Sequence, residues 1–335
     1  MRRAVTEADQ SLALIMDVDT GVDDCIALLF ALAAPEVELL AVTCCAGNVP
    51  QAQVEANTRS VLELCGAGDV EVAPGSLGPL VVPLRTATSH GPQGLGYASL
   101  PQAEAARSSR FAPDLLVEEA RRRPGEIVLV ATGPLTNVAL AVRRDPELPQ
   151  LLRRLVVMGG AFDYPGNTTP TAEFNVLVDP EAAKVVFDAF ASADRKPLIC
   201  GLNVTERTEL RPEHLERLAE LAGGASTENS NPVVRLVSDA LRFSMEAHEA
   251  LGHGYVAYMH DPLAVACALD ESLGERRSGT VDVELSGALT RGMTVVDWHG
   301  LWGRPLNAEV VVGIDPEPFV ALLVERLAAV ARAAG

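Results

Sequence analysis

The sequence predicts an α/β fold in which helices cover both faces of a mostly parallel central sheet. Short apolar runs of strand length alternate with longer amphipathic stretches over the first two-thirds of the chain. Hydrophobic residues make up 48% and charged residues 21% of the 335 residues, a balance typical of a globular protein with a sizeable core. Because no linker, repeat or low-complexity tract interrupts the sequence, we expect one domain spanning residues 1–335, with a Rossmann-like core.

The alternation assigns the individual elements. Buried strands are predicted from the apolar runs at Leu12–Met16, Val37–Val42, Ile127–Val130, Leu155–Val157 and Leu198–Ile199. The amphipathic stretches predict helices at Val22–Ala33, Gln51–Leu64, Pro113–Arg123, Leu135–Arg143 and Pro180–Ala191. Strands that alternate with helices of this length form βαβ units, in which neighbouring strands are parallel.

The C-terminal third is predicted to add further strands to this core. Apolar runs predict strands near Thr280–Leu285, Met293–Asp297 and Ala308–Val312, followed by a closing helix over Pro316–Ala334. The stretch GGASTENSN, residues 223–231, is rich in glycine and small polar residues, which is typical of a mobile loop. We expect it to lead into a helix near Pro232–His248.

Charge and composition restrict the partners and the compartment. The formal net charge of −18 makes nucleic acid and anionic membranes unsuitable partners, whereas a neutral small molecule is unaffected by it. No apolar run reaches the roughly 18 residues of a membrane span, and charge follows Leu12–Met16 too closely for a signal peptide. The six cysteines lack metal-ligand spacing and are typical of buried thiols in a reducing compartment. We therefore predict a cytoplasmic protein.

Polar residues follow several of the predicted strands. The segment DVDTGVDD comes after the first strand, AGN (46–48) after the second, and ATGPLTN (131–137) and MGGAF (158–162) after later ones. In open α/β sheets, ligands bind outside the carboxyl ends of the strands. The sequence therefore predicts a ligand site at this edge of the sheet.

Four aspartates, Asp17, Asp19, Asp23 and Asp24, lie within eight residues where the first strand passes into the first helix. Helix capping explains one or two of them, but not four. Clustered carboxylates repel one another, and a divalent cation neutralises that repulsion. Because the cluster offers hard carboxylate oxygens and the cysteines lack metal-ligand spacing, Ca²⁺ or Mg²⁺ is favoured over Zn²⁺, and we predict a calcium site.

Two other metal-binding patterns fit less well. An EF-hand loop is excluded because Leu28 stands where its last glutamate belongs. Phosphatases of the haloacid dehalogenase type carry a similar Asp-x-Asp pair, but Gly21 stands where they have threonine or valine. The chain contains only two lysines, Lys184 and Lys196, and neither lies in a context that suits those enzymes. A magnesium-dependent phosphohydrolase remains an alternative.

The order of the motifs resembles the inosine–uridine preferring nucleoside hydrolase family. DVDTGVDD is similar to the DxDPGxDD signature of that family. Further similar segments follow in order: AGN (46–48), HGPQGLG (90–96), ATGPLTN (131–137), VVMGGAF (156–162), GNTTPTAEFNVLVDPEAA (166–183), MHDPLAVA (259–266), RGMTVVDWHG and WGRPLNAEV. The resemblance extends over nearly the whole chain and implies the nucleoside hydrolase fold. The sequence departs from the pattern at Thr20, where proline is usual, and at Gln93, where many members carry an acidic residue.

The resemblance also implies roles for individual residues. It assigns Ca²⁺ to Asp19, Asp24, Asp261 and the backbone carbonyl of Thr132, with Asp24 chelating through both oxygens. It places the ribose among Asp23, Asn48, Met158, Asn167, Glu173 and Asn175, with Phe174 beside the ligand. A neutral polyol such as ribose is recognised by amides and carboxylates rather than by basic residues, which agrees with this set. Asp17 is expected to orient the loop without binding the metal.

The implied reaction is hydrolysis of the N-glycosidic bond of a purine or pyrimidine ribonucleoside to ribose and free base. Asp19 is expected to accept a proton from metal-activated water, and the transition state to resemble an oxocarbenium ion. His260 is the first candidate for assisting the leaving base and His90 the second, because an imidazole can donate near pH 7. A chain with histidines at both positions resembles the inosine–uridine or pyrimidine-preferring branches of the family. His253 and Tyr255 are candidates for a closing loop.

The resemblance further implies a homodimer or homotetramer that acts on a small-molecule nucleoside. A rival from another class is a calcium-dependent nucleoside- or sugar-binding protein that does not catalyse. The sequence argues against it, because every position matched to the catalytic pattern is filled by a residue of the expected chemistry.

Overall fold

The computed structural model describes residues 11–224 and 231–334. The strands are β1 (Leu12–Val18), β2 (Val37–Cys44), β3 (Glu71–Pro74), β4 (Val128–Ala131), β5 (Arg154–Met158), β6 (Leu198–Cys200), β7 (Glu209–Leu210), β8 (Ala257–Tyr258), β9 (Glu275–Val283), β10 (Thr294–Asp297) and β11 (Ala308–Gly313). The helices are α1 (Val22–Leu32), α2 (Gln51–Leu64), α3 (Ala112–Arg122), α4 (Thr136–Arg144), α5 (Leu148–Leu151), α6 (Phe174–Val178), α7 (Pro180–Ala189), α8 (Leu202–Thr205), α9 (Pro212–Leu221), α10 (Pro232–Ala250), α11 (His260–Leu269) and α12 (Pro316–Ala334).

A nine-stranded sheet has the order β10-β9-β11-β6-β5-β4-β1-β2-β3. All neighbours from β11 to β3 are parallel, whereas β9 pairs antiparallel with both β11 and β10. The stretch β3-β2-β1-β4-β5-β6 has the strand order of the Rossmann fold, which confirms the predicted core. The C-terminal strands extend one edge, as expected, and β7 and β8 form a separate antiparallel pair.

The two faces of the sheet carry separate hydrophobic cores. Along β1, Ala13 and Ile15 pack on the side of α3, α4 and α7. Leu14, Met16 and Val18 point to the other side, against α1, α2 and α10–α12. A strand buried on both faces is apolar at nearly every position, which explains why β1 is an almost continuous apolar run, interrupted by Asp17, rather than an alternating one. Helices cover both faces, as the sequence predicts.

Most element boundaries lie within two residues of the prediction, although β9 begins at Glu275 rather than near Thr280. The missed elements include the ten-residue helix α9 as well as several short ones. β3 has four residues and ends at Pro74, while α6 and α8 have five and four. α10 begins at Pro232 after Asn231, whose side chain accepts hydrogen bonds from the N–H groups of Val233 and Val234. The predicted mobile loop at 223–231 lies mostly outside the described residues, which resume at 231.

The cysteines are free thiols, as expected. All except the half-buried Cys65 are buried. Among the helices of residues 11–224 and 231–334, none combines the length and the apolar character that a transmembrane span requires.

Candidate active site

The polar strand ends meet at the carboxyl edge of the sheet. The strand order reverses between β1 and β4, since β2 and β3 lie on one side of β1 and β4 to β6 on the other. Open α/β sheets bind ligands at such a switch point. Only three residues connect β1 to α1, so the aspartate segment is held between a strand end and a helix N-terminus. The dipole of α1 stabilises negative charge there. The segment's carboxylates are 0% to 8% exposed: Asp17, Asp19, Asp23 and Asp24.

Three carboxylates converge at this edge. One oxygen each from Asp23, Asp24 and Asp261 lies within 4.8 Å of the other two. Asp261 arrives from far along the chain, in the first turn of α11, and is 2% exposed. Burial raises the pKa of Asp23 to about 6. Burial, followed by the charge of Asp23, raises the pKa of Asp24 and of Asp261. Such a group of oxygens is chemically suited to a hard divalent cation.

Asp24 is fixed in place through both oxygens. Its Oδ2 accepts from the backbone N–H of Gly21 at 2.9 Å, and its Oδ1 accepts from the hydroxyl of Thr132 at 2.7 Å. Asn48 Nδ2 lies 3.4 Å from Oδ2. These bonds orient Asp24, and because each carboxylate oxygen has two lone pairs, Oδ1 keeps one of them for a ligand.

Asp19 lies beside the three converging carboxylates rather than among them. Its Oδ2 accepts from the backbone N–H of Asn48 at 2.7 Å, and its buried Oδ1 has no hydrogen-bond partner among the described residues. Burial, followed by the charge of Asp24, raises its pKa well above the ordinary value. A Cβ at Gly47 would overlap Asp19 Oδ2, which explains the glycine of the AGN motif. The converging set thus contains Asp23, which the sequence assigned to ribose, in place of Asp19.

Asp17 points away from the cluster. Its Oδ1 accepts from Thr43 Oγ1 at 2.6 Å and from Asn137 Nδ2 at 2.8 Å. Burial raises the pKa of Asp17 to about 7. These contacts join β1 to β2 and α4, an arrangement compatible with a role in orienting the strand end.

Amides and backbone groups surround the cluster. Asn175 Nδ2 donates to the carbonyl of Thr132 at 2.7 Å, so the predicted carbonyl ligand already has one partner. Glu173 caps α6: its carboxylate accepts from the N–H groups of Asn175, Val176 and Gly160. The exposed Asn167 accepts from the N–H of Phe174 at 3.0 Å.

A cavity of about 500 Å³ opens above the cluster. It is lined by eleven of the predicted site residues, namely Asp23, Asn48, His90, Thr132, Met158, Asn167, Glu173, Phe174, Asn175, His260 and Asp261. Asp19 and Asp24 do not line it and lie buried. His253 lines the cavity as expected, whereas Tyr255 packs partly buried against the hydrophobic core instead. Gln93 is exposed and lies outside the lining.

His90 has a defined tautomer. Its Nδ1 accepts a hydrogen bond from the backbone N–H of Val22 at 3.0 Å, so a neutral ring carries its proton on Nε2. Burial lowers the pKa of His90 to about 4, against the opposing charge of Asp24. The ring is therefore neutral near pH 7 and offers one N–H donor.

His260 stands at the start of α11, directly before Asp261. Its Nδ1 lies 2.8 Å from Thr205 Oγ1, a contact in which either group can donate. Burial, followed by His248 and His90, lowers the pKa of His260 to about 3. His90 and His260, the two candidates for assisting the leaving base, are thus both neutral near pH 7.

Five further residues, Tyr164, Glu206, His248, His253 and Tyr258, form what we call the polar wall of the cavity. The Tyr164 hydroxyl donates to Glu206 Oε2 at 2.9 Å, and the rings of His248 and Tyr258 lie 4.8 Å apart. Sequence reasoning found only His253 of this group. Glu206 follows β6 by six residues, so polar residues after the predicted strand Leu198–Ile199 were the signal that could have found it.

Comparison with known proteins supports one family. The family model described as inosine-uridine preferring nucleoside hydrolase matches residues 14–321. The pyrimidine-specific ribonucleoside hydrolase RihA of Citrobacter koseri is 39% identical over 320 residues, covering 95% of this chain and 98% of that protein.

Solved structures agree with that match. A plant nucleoside hydrolase, PpNRh1, has a TM-score of 0.86 at 33% identity, covering 94% of this chain and 98% of its own. A purine-preferring ribonucleoside hydrolase from Gardnerella vaginalis has a TM-score of 0.87 at 29% identity, covering 96% and 99%. The chain belongs to the inosine-uridine preferring nucleoside hydrolase family and is a ribonucleoside hydrolase.

Proposed function

We propose that this ribonucleoside hydrolase depends on Ca²⁺ and cleaves the N-glycosidic bond of pyrimidine ribonucleosides. The observation that carries the calcium proposal is the convergence of Asp23, Asp24 and Asp261 beneath a cavity lined by amides. The pyrimidine preference rests on the 39% identity to the pyrimidine-specific relative over 95% of the chain.

The donor set fits a calcium ion. All side chains in the cluster offer hard oxygen ligands, and buried oxygens of Asp19 and Asp23 have no hydrogen-bond partner among the described residues. Unpaired buried carboxylate oxygens are costly unless a cation or donor compensates them. We propose Asp19, Asp24, Asp261 and the Thr132 carbonyl as ligands, and the geometry adds Asp23 as a candidate. A divalent cation held there would polarise water and the ribose hydroxyls.

Asp19 is the proposed general base. The N–H of Asn48 fixes one of its oxygens at 2.7 Å, and the other oxygen is free to accept a proton from water. Because this carboxylate is held by backbone, it needs no reorganisation when the proton arrives.

The ribose is proposed to bind among Asp23, Asn48, Asn167, Glu173 and Asn175, with Met158 and Phe174 beside it. These residues line one cavity with the carboxylates. Carboxylates and amide oxygens surround the sugar with partial negative charge, which stabilises an oxocarbenium-like transition state.

His90 and His260 are the proposed donors to the leaving base. A neutral imidazole gives a hydrogen bond rather than a full proton, which stabilises negative charge as it develops on the base. His90 is the better defined of the two, because the Val22 N–H occupies Nδ1 and leaves Nε2–H as the donor.

The assembly and compartment belong to the same proposal. A homodimer or homotetramer is expected in solution, and light scattering measures it. The free cysteines support a reducing, cytoplasmic environment.

The test is a panel of uridine, cytidine, inosine and adenosine read out by released ribose, with p-nitrophenyl phosphate as the phosphatase control. We expect hydrolysis of uridine and cytidine, its loss on treatment with a calcium chelator, and recovery with Ca²⁺. Intact pyrimidine nucleosides at high enzyme concentration would refute the proposed substrate. Activity that survives chelation would refute the calcium dependence, and nucleoside binding without turnover would favour the non-catalytic alternative.

A further inference from the structure

We propose that Glu206, oriented by Tyr164, is a specificity-determining residue that accepts a hydrogen bond from an N–H group on the leaving base. This inference rests on the proposed function, because it concerns the base of the nucleoside that the same cavity binds. Nothing in the motifs that identify the family points to this position; the geometry of the polar wall does.

Glu206 is placed beside the residues proposed to assist the base. It follows α8 directly and closes that helix by donating its N–H to the carbonyl of Leu202 at 3.2 Å. The preceding residue, Thr205, contacts His260 at 2.8 Å. The backbone that holds Glu206 is therefore tied to the ring of a proposed donor, and both side chains line the same cavity.

One of the two carboxylate oxygens of Glu206 accepts a hydrogen bond from a side chain. Its Oε2 accepts from the Tyr164 hydroxyl at 2.9 Å, and this is the side-chain hydrogen bond that Glu206 makes among the described residues, so Oε1 remains available to a ligand. Burial raises the pKa of Glu206, although the hydroxyl of Tyr164 and the charge of nearby His253 oppose this. A half-buried carboxylate with a free oxygen is an acceptor that a ligand can satisfy.

Glu206 is also separate from the metal-side carboxylates. It follows β6 and α8, whereas Asp23 and Asp24 follow β1, which lies three strands away in the sheet. A ligand that spans the cavity therefore meets acidic groups at two places: the aspartates, suited to a cation and a polyol, and Glu206, suited to an N–H donor. A pyrimidine base offers such donors at N3 in uridine and at the N4 amino group in cytidine.

The experiment compares kcat/KM for uridine with that for 3-methyluridine, in which the N3 donor is replaced by a methyl group. In the wild type we expect uridine to be preferred. Glu206→Gln should reduce that preference about tenfold, because it replaces a charged acceptor by a neutral one. Glu206→Ala should reduce it further, by making room for the methyl group. Tyr164→Phe should give a smaller change in the same direction.

A matched control exists elsewhere in the chain. Tyr97 donates to Glu246 Oε2 at 2.5 Å, which is the same pairing at an exposed position that does not line the cavity. Glu246→Gln should leave the uridine to 3-methyluridine ratio unchanged. A change as large as that of Glu206→Gln would assign the effect to general surface charge and overturn the proposal.

The outcomes separate this inference from the proposed function. If the wild type cleaves uridine and Glu206→Gln leaves the ratio within twofold of the wild-type value, Glu206 does not read the base. Should the wild type cleave inosine but not uridine, the pyrimidine proposal fails, and inosine against 1-methylinosine applies the same comparison to Glu206. An enzyme that cleaves neither overturns both.

Discussion

The two sides of the cavity are held in different ways. One side, which we call the metal side after the proposed ion, contains the clustered aspartates and Glu173. Backbone N–H groups hold its carboxylates: Gly21 donates to Asp24, Asn48 donates to Asp19, and Glu173 accepts from the backbone of α6. On the polar wall, the contacts that position the tyrosine and the carboxylate run between side chains, as in the Tyr164–Glu206 bond. A backbone N–H donor is present whatever side chain its residue carries, whereas a side-chain pair is lost when either partner is substituted.

This difference suits the two sides to the two parts of a nucleoside. The metal side is proposed to act on the ribose, which every ribonucleoside shares, and the polar wall is proposed to contact the base, which varies. The relatives fit such a division: one is named pyrimidine-specific and another purine-preferring, although both cover at least 95% of this chain. Substitutions on the metal side should therefore reduce turnover of all substrates, and those on the polar wall should change the order of preference.

The largest effect is expected from Asp261→Asn. Removing one of three converging carboxylates should abolish calcium binding by calorimetry and lower kcat for uridine and cytidine alike by about 10⁴-fold or more. Asp270→Asn is the matched control, because Asp270 stands exposed at the other end of α11. A variant that binds calcium normally would contradict the assignment of Asp261.

Asp19→Asn should have the second largest effect. Asparagine keeps an oxygen for the Asn48 N–H but removes the basic oxygen, so kcat should fall about 10²- to 10³-fold for every nucleoside. Single-turnover measurements of ribose release would isolate the chemical step. Near wild-type turnover would show that another group takes the proton, and a circular dichroism spectrum like that of the wild type would exclude misfolding.

The metal side could be predicted from sequence because its chemistry is local. Asp19, Asp23 and Asp24 lie where an apolar strand meets a helix, and the parallel topology places AGN and ATGPLTN at the same edge. The proximity of Asp261 came only from the family resemblance, since no spacing rule connects α11 to β1. The relative placement of Asp19 and Asp23 depends on side-chain directions that the sequence pattern does not determine.

The polar wall could not be predicted in the same way. Its members come from the loop after β5, the end of α8, the last turn of α10, the loop that follows and β8. Apart from His253, predicted in a closing loop, and Glu206, which follows a predicted strand, these residues do not stand out in their own segments, and only tertiary packing brings the five together. The short strand β3 was missed for a related reason: four residues at a sheet edge carry too little periodicity.

His90→Gln should have an intermediate effect that depends on the leaving group. Loss of the Nε2–H donor should lower kcat/KM for uridine about 10- to 100-fold. A riboside with p-nitrophenolate as the leaving group needs no such assistance, so its hydrolysis should fall much less. Equal losses on both substrates would mean that His90 serves the metal side, which lies 3.8 Å away at Asp23, rather than the base.

The smallest effect is expected where the aspartate segment is joined to α2. Thr20 Oγ1 and Thr58 Oγ1 lie 2.6 Å apart in the core, and Thr58 also donates to the carbonyl of Val54. Because a hydroxyl has one proton and that of Thr58 is directed to Val54, we infer that Thr20 is the donor of the pair. This contact stands at the position where the family usually has proline, so a side-chain bond replaces the rigidity of a ring.

The direction of that bond makes the two valine substitutions unequal. Thr58→Val leaves the buried Thr20 hydroxyl without an acceptor and should lower the free energy of unfolding by about 1–3 kcal/mol. Thr20→Val leaves Thr58 bonded to Val54 and should cost only about 0.5–1.5 kcal/mol. Urea denaturation of both variants and the double variant measures this, and the double variant should lose less than the sum of the two. Equal, additive losses would contradict the direction of the bond. Uridine turnover should change less than in Asp261→Asn, Asp19→Asn or His90→Gln, since neither threonine lines the cavity.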